Sequence, residues 1–340
     1  MKKVLCFGEL LLRFSPSASG EWLGQHQMPV FVGGAELNVA TALAKWGVPV
    51  KYFTALPDNA ISKNIVAYVA QKEIDSSAIV YTNGRIGTYY VSTGADMKSE
   101  HTVYDRKDSA FSTFPIGQLN WNEILEDVSW FHFSAIVPAL SEAAAALCKE
   151  ALHAASQRNI TISVDLNYRA LLWKYAKSPI AVMPDLVHYC DVVMGNIWSA
   201  HALLGINLPL DMAEYPTQEE YLAGATATAT NLFRDYPRCQ YVANTFRLDS
   251  QQGAIQYYAT INTKKDQFVS PFFRSAKIVD KVGSGDCFMA GLIYGIINNH
   301  SLPTIIAYAA AAAFGKLHEK GDATNNNTST IRHIASQFIN

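Results

Sequence analysis

Charge is scarce in this chain. Lysine plus arginine number 27 and aspartate plus glutamate 29 in 340 residues, 16% in all, for a net charge of −2. A balance so close to neutral lacks the basic excess that nucleic-acid or anionic-membrane binding requires, so any basic site must be local. No stretch approaches the roughly 18 apolar residues of a membrane-spanning helix. The five cysteines, Cys6, Cys148, Cys190, Cys239 and Cys287, are scattered, odd in number and without C-x-x-C spacing. That argues against a disulfide framework or a zinc site, and for free thiols in a reducing compartment. Met1-Lys2-Lys3 before an apolar run at 4–7 has the outline of a secretory start, but Glu9 and Arg13 interrupt it. A first buried strand and a cytoplasmic protein are expected instead. No Gly-x-Gly-x-x-Gly follows that strand, which speaks against a Rossmann oxidoreductase, and no Gly-x-x-x-x-Gly-Lys-Ser/Thr occurs.

What is present is hydrophobic content, 49% of the chain, enough for one large α/β domain or two smaller ones. Strand-like runs at 4–7, 51–55, 130–134, 161–165, 192–194 and 241–244 alternate with helical spacing at 35–46, 62–72, 141–158, 221–235 and 301–316. This alternation predicts a mostly parallel sheet with helices on both faces. Ligands on such sheets bind beyond the carboxyl ends of the strands. Glu9, Asp165, Asn196 and the loop 283–286 all follow strand-like runs and are expected to converge there. Segments 10–32 and 84–113 break the alternation and read as extended chain with turns. A polar run at 325–330 predicts a surface loop before a last helix.

The most informative stretch is Asp280-Lys281-Val282-Gly283-Ser284-Gly285-Asp286, followed by an apolar, small-residue helix. Gly283, Ser284 and Gly285 let backbone N–H groups approach a ligand closely, and the helix adds its positive end. An anion is expected there. A carboxylate beside an anion site is electrostatically awkward. It is explained if Asp286 takes the proton from a hydroxyl that attacks a phosphoryl group.

Continued through Cys287-Phe288-Met289-Ala290-Gly291, this stretch resembles the C-terminal signature of the ribokinase-like (PfkB) sugar kinases, Asp-Thr-x-Gly-Ala-Gly-Asp-x-Phe-x-Ala-Gly. Lys281 and Ser284 are the departures. A second match is Gly33-Gly34-Ala35-Glu36-Leu37-Asn38-Val39-Ala40, like the family's Gly-Gly, Asn and Ala-rich helix. The resemblance spans about residues 3–333, tightest at 33–40 and 280–291 and loose between 206 and 275. It implies a three-layer α/β/α core with a mostly parallel sheet, formed by 1–9, 33–83 and 114–340. Segments 10–32 and 84–113 would form a small β-sheet lid, which in the family often serves as a dimer interface.

For the site, the resemblance implies Asp286 as catalytic base with the Gly283, Ser284 and Gly285 turn as anion hole. Gly33, Gly34 and Asn38 would lie against the sugar. Glu9 is open between a contact to sugar hydroxyls and a buried structural acid. Tyr104-Asp105-Arg106 and Asp165-Leu166-Asn167-Tyr168-Arg169 each carry an arginine, and guanidinium groups suit a carboxylate. This resembles the 2-keto-3-deoxygluconate kinases, where the equivalents of Gly34, Tyr90, Tyr104, Arg106 and Arg169 hold the acid sugar. A neutral sugar such as fructose or ribose is the rival, and Arg106 carries most of the discrimination.

The nucleotide end implies ATP with Mg²⁺, near Asn196, Thr245, Gly253, Gly283 and Gly285. Arg247 is open between a phosphate, a ribose and a solvated loop. One departure stands out. The family's Asn-x-x-Glu becomes Asn196-Ile197-Trp198-Ser199, without the acid thought to organise magnesium waters. That loss motivates a further alternative, a weakened sugar sensor on the same fold. Asp280 matches a residue that often helps bind a monovalent cation, making K⁺ a candidate activator. The partners implied are a sugar acid, ATP and a second copy of the chain.

Overall fold

The computed structural model describes residues 2–16, 27–92, 102–208, 217–249 and 254–338. The strands, in chain order, are β1 (Lys3–Phe7), β2 (Leu11–Phe14), β3 (Val30–Gly33), β4 (Val50–Pro57), β5 (Ile79–Thr82), β6 (Gly87–Tyr90) and β7 (Val103–Asp105). They continue with β8 (Val128–Ser134), β9 (Thr161–Asp165), β10 (Val192–Gly195), β11 (Tyr241–Asp249), β12 (Ile255–Asn262), β13 (Gln267–Val269) and β14 (Phe273–Ser275).

The large sheet runs β13-β12-β11-β10-β9-β8-β1-β4-β5, with β14 on β12. From β11 to β5 every pairing is parallel. Its central strands are almost wholly buried, as expected of strands covered on both faces. Alternate residues go to opposite layers. Val4 and Cys6 join one core cluster with the helices Ala35–Lys45, Ser284–Ile297 and Leu302–Lys316. Leu5 and Phe7 join another with Glu142–Ser156 and Pro179–Val187. In the first layer Ala309–Ala313 are fully buried, and their small side chains let that helix lie close against Ser284–Ile297. The order reverses between β1 and β8, so a crevice opens there at the carboxyl ends.

A second, four-stranded sheet runs β3-β2-β6-β7. It is mixed, because β2 pairs with β6 in parallel while β3 and β7 are antiparallel. Its strands come from the two segments that break the alternation. Three details differ from the sequence expectation. The helix after the glycine turn starts at Ser284, so Asp286 sits in its first turn. β11 continues to Asp249, because its far half pairs with β12 through to Asp249↔Ile255. Residues 255–275, which show no clear alternation, form the antiparallel edge. All five cysteines are buried and free. Among the described residues no helix is long and apolar enough to cross a membrane.

Candidate active site

A cavity of about 470 Å³ lies at the carboxyl ends of the strands, between the two sheets. The N-terminus of Ala35–Lys45 brings Gly34 and Asn38 to its wall, and the small sheet with its following turn brings Tyr104 and Arg106. The chain after β9 adds Arg169. Gly34 has φ +147°, and a Cβ there would stand 2.7 Å from the carbonyl of Glu9, so only glycine lets the backbone pass.

Opposite stands the glycine turn. Gly283 caps the helix at φ +78°, and a Cβ on it would lie 1.7 Å from the carbonyl of Asp322. The first intrahelical bond runs from Cys287 N–H to the Gly283 carbonyl. The N–H groups of Ser284, Gly285 and Asp286 precede it, and all three residues line the cavity. With the helix dipole, they form a ready anion receptor.

Asp286 is 8% exposed and accepts a hydrogen bond on Oδ2 from the Asn38 side-chain amide at 2.7 Å. Burial raises its pKa, and Glu36 and Asp322 nearby push the same way. The Asn38 bond and the Arg169 charge pull it down. The net result is about 7, suited to a base near neutral pH. Asp165, also on the wall, is buried and pushed well up by desolvation and by Asp286.

At the third end, Thr245 and Arg247 project from the same side of β11 into the cavity, beside Asn196. Asn196 and Ser199 form a reciprocal capping box: the Ser199 N–H donates to Asn196 Oδ1 at 2.8 Å, and the Asn196 N–H donates to Ser199 Oγ at 2.9 Å. Ser199 thus holds the helix start while lining the cavity. Among the described residues no cluster of three acidic, histidine or cysteine side chains could hold a resident metal. A magnesium ion here would have to be carried by the phosphates and waters of a bound nucleotide.

The pfkB family carbohydrate kinase pattern matches residues 1–329. The chain belongs to that family. A 2-dehydro-3-deoxygluconokinase from Thermotoga maritima superposes with a TM-score of 0.88 at 31% identity, covering 99% of this chain and 100% of that one. A 2-dehydro-3-deoxygalactonokinase from Haloferax volcanii is 27% identical over 94% of this chain and 92% of its own length. Fructokinase-1 of rice, Oryza sativa subsp. japonica, is 25% identical over 88% of this chain and 84% of its own. The protein is a carbohydrate kinase with the ribokinase-like fold.

Four residues singled out in the sequence stand away from the wall of this kinase's cavity. Glu9 is 2% exposed and accepts the Nε–H of Arg106 on Oε2 at 2.5 Å, so it sits behind the arginine. Gly33 ends β3 with Asp322 against it. Tyr90 lies on the other face of β6, stacked on Phe14 at 5.2 Å. The wall tyrosine is its neighbour Tyr89, stacked on Tyr104 at 6.2 Å and donating to Asp322 Oδ2 at 3.0 Å. Strand alternation forces one of the two tyrosines outward, and nothing in the run Thr88-Tyr89-Tyr90 says which. Asp280 does not fit a monovalent cation: its Oδ2 faces the Arg13 guanidinium at 3.4 and 3.5 Å and its Oδ1 accepts the Val282 N–H at 3.1 Å. Gly253 lies outside the described residues.

Sequence reasoning passed over Asp322 and Lys281 as wall residues. Lys281 interrupts the family signature, which is a signal. Asp322 sits in a loop beyond Leu302–Lys316 with no motif around it.

Proposed function

We propose that the protein transfers the γ-phosphoryl group of ATP·Mg²⁺ to the terminal hydroxyl of a sugar acid, with 2-keto-3-deoxygluconate as the substrate and Asp286 as base. The observation that carries the choice of substrate is the Glu9–Arg106 pair. Glu9 engages Nε, which fixes the guanidinium plane and directs its terminal N–H groups toward a cavity that Arg169 and Tyr104 also line. Two arginines on one cavity, Arg106 buried and Arg169 half-buried, suit a carboxylate; a neutral sugar has no use for them. The names of the Thermotoga and Haloferax relatives agree with a keto-deoxy acid.

In this reading the sugar lies between Gly34, Asn38 and Arg106, its carboxylate on Arg106, Arg169 and Tyr104. The wall tyrosine Tyr89 takes the part expected of Tyr90. The triphosphate runs from Asn196, Thr245 and Arg247 toward the Gly283 turn. Asp286 receives the hydroxyl proton as the oxygen attacks. The N–H groups of Ser284, Gly285 and Asp286 take up charge on the transferring group, in line between the two oxygens. The small sheet covers the sugar and excludes water, which limits ATP hydrolysis. In the same reading the small sheet, whose edge strands expose Val30 and Val103, 51% and 54% accessible, is also the interface of a homodimer.

The test is ADP release with ATP and Mg²⁺ against 2-keto-3-deoxygluconate, gluconate, fructose and ribose, with Asp286→Asn as control. Turnover of the keto-deoxy acid alone, lost in the variant, is expected. Turnover of fructose or ribose in its place would retain Asp286 and discard the carboxylate clamp. Sugar binding by calorimetry without any turnover would make the protein a sensor.

A further inference from the structure

Arg13 is a large side chain almost wholly withdrawn from solvent, 1% exposed. It springs from β2 of the small sheet and reaches two carboxylates that flank the anion turn. Nη1 and Nη2 lie 3.4 and 3.5 Å from Asp280 Oδ2, and Nε lies 2.8 Å from Asp322 Oδ1. The guanidinium also covers the Phe31 ring at 4.3 Å, which fixes its plane.

Both aspartates touch the turn, Asp280 through its carboxylate and Asp322 through its backbone carbonyl. Asp280 accepts the N–H of Val282, next to Gly283. The Asp322 carbonyl fills the space a Cβ on Gly283 would need, and its Oδ2 accepts the hydroxyl of the cavity-wall residue Tyr89. Charge neutralisation alone does not call for an arginine from the small sheet. Lys316, fully buried with Nζ on the Glu319 carbonyl at 3.2 Å, also lies within electrostatic reach of Asp280 and Asp322, and burial lowers its pKa. Well-packed apolar groups often serve stability as well as a buried ion pair does. What Arg13 adds is a mechanical link between the sheet over the sugar and the turn under the phosphoryl group.

We propose that Arg13 is a positioning residue for phosphoryl transfer: from the small sheet it fixes, through Asp280 and Asp322, the N–H groups of Ser284, Gly285 and Asp286. The proposal rests on the kinase reading above for its catalytic consequence, but the hold on the turn can be read without turnover.

The test compares the full-length protein with Arg13→Met, Arg13→Lys and Arg13→Ala. In Arg13→Met, kcat is expected to fall about 10–100-fold, the range for groups that orient a site from behind, with sugar and ATP KM changed less than about threefold. Amide hydrogen exchange at Val282 and Cys287, whose N–H groups are bonded to Asp280 Oδ1 and the Gly283 carbonyl, should quicken at least about tenfold while β9 keeps its protection. Arg13→Lys should recover part of kcat, and added guanidinium should restore turnover to Arg13→Ala. A folded Arg13→Met with wild-type kcat and wild-type exchange overturns the proposal. If that variant fails to fold, Arg13→Met with Asp322→Asn removes the uncompensated charge. Wild-type kcat in this double variant, or its failure to fold as well, assigns Arg13 to stability alone. If the wild-type protein phosphorylates no sugar, the kinase reading fails by itself, and the exchange measurement still decides whether Arg13 holds the turn.

Discussion

Asn38 donates its side-chain amide to Oδ2 of Asp286 at 2.7 Å, a contact between residues 248 positions apart. It favours the charged carboxylate, while burial favours the neutral acid, and the balance falls at about 7. A base works only when unprotonated. kcat/KM should therefore drop about tenfold for each pH step below that value. In Asn38→Ala the acid limb should move to higher pH, with activity near pH 6 lower by about 10–100-fold, the worth of a hydrogen bond to a charged group. A pH–rate profile whose acid limb stays in place would show that another group titrates there.

The same carboxylate should cost stability above neutral pH. Its folded pKa is raised, so the fold binds the proton more tightly than the unfolded chain does. The stabilisation from that proton is complete below the ordinary carboxylate range and is lost as pH rises through about 7. Asp286→Asn keeps a neutral side chain at every pH. The variant should match the wild type at about pH 4 and exceed it by up to ~4 kcal/mol at about pH 9, while losing turnover. Urea denaturation at both pH values measures the difference. Equal stability at high pH would mean that Asp286 is better solvated than its burial implies.

Arg106 and Glu9 form one unit, so they should respond differently to truncation. Arg106→Ala leaves Glu9 buried without its partner and should cost about 3–5 kcal/mol of stability. It should also raise KM for the acid sugar by about 30-fold or more, the loss expected for one partner of a buried charge pair. Binding of neutral sugars should hardly change. Glu9→Gln keeps the side chain's shape and should recover much of the stability of Arg106→Ala when the two are combined. Sugar calorimetry beside thermal melts separates the two effects; equal losses for acid and neutral sugars would remove the carboxylate from the account.

Ser199 holds the third helical position of a capping box, and glutamate is the residue most at home there. Ser199→Glu should keep the helix start and add an acid to the cavity wall. The magnesium concentration for half-maximal turnover should fall about 10-fold, the usual reach of a group acting through metal waters. A titration of rate against free Mg²⁺ checks this, and an unchanged midpoint would mean that the nucleotide carries its magnesium without help from this position.

The alternation of strands and helices was legible because buried parallel strands and amphipathic helices each impose a short-range period on the chain. The glycine turn and the Gly33-Gly34 pair were legible for a related reason: a backbone that must pass within van der Waals distance of another group, or adopt positive φ, leaves only glycine. Asp286, Asn38, Arg106 and Arg169 could be named from these landmarks and line one cavity. Burial and charge distribution in three dimensions decided the rest. Whether Tyr89 or Tyr90 faces the cavity depends on the packing of the small sheet. Asp322 enters the site from a loop without a motif, and Arg13 occupies the position beside Asp280 from a strand 267 residues away. The pKa of Asp286 belongs to none of its neighbours in sequence. It follows from desolvation, one amide and charges from three other parts of the chain, because electrostatic energy depends on distance through space and on the water excluded between groups.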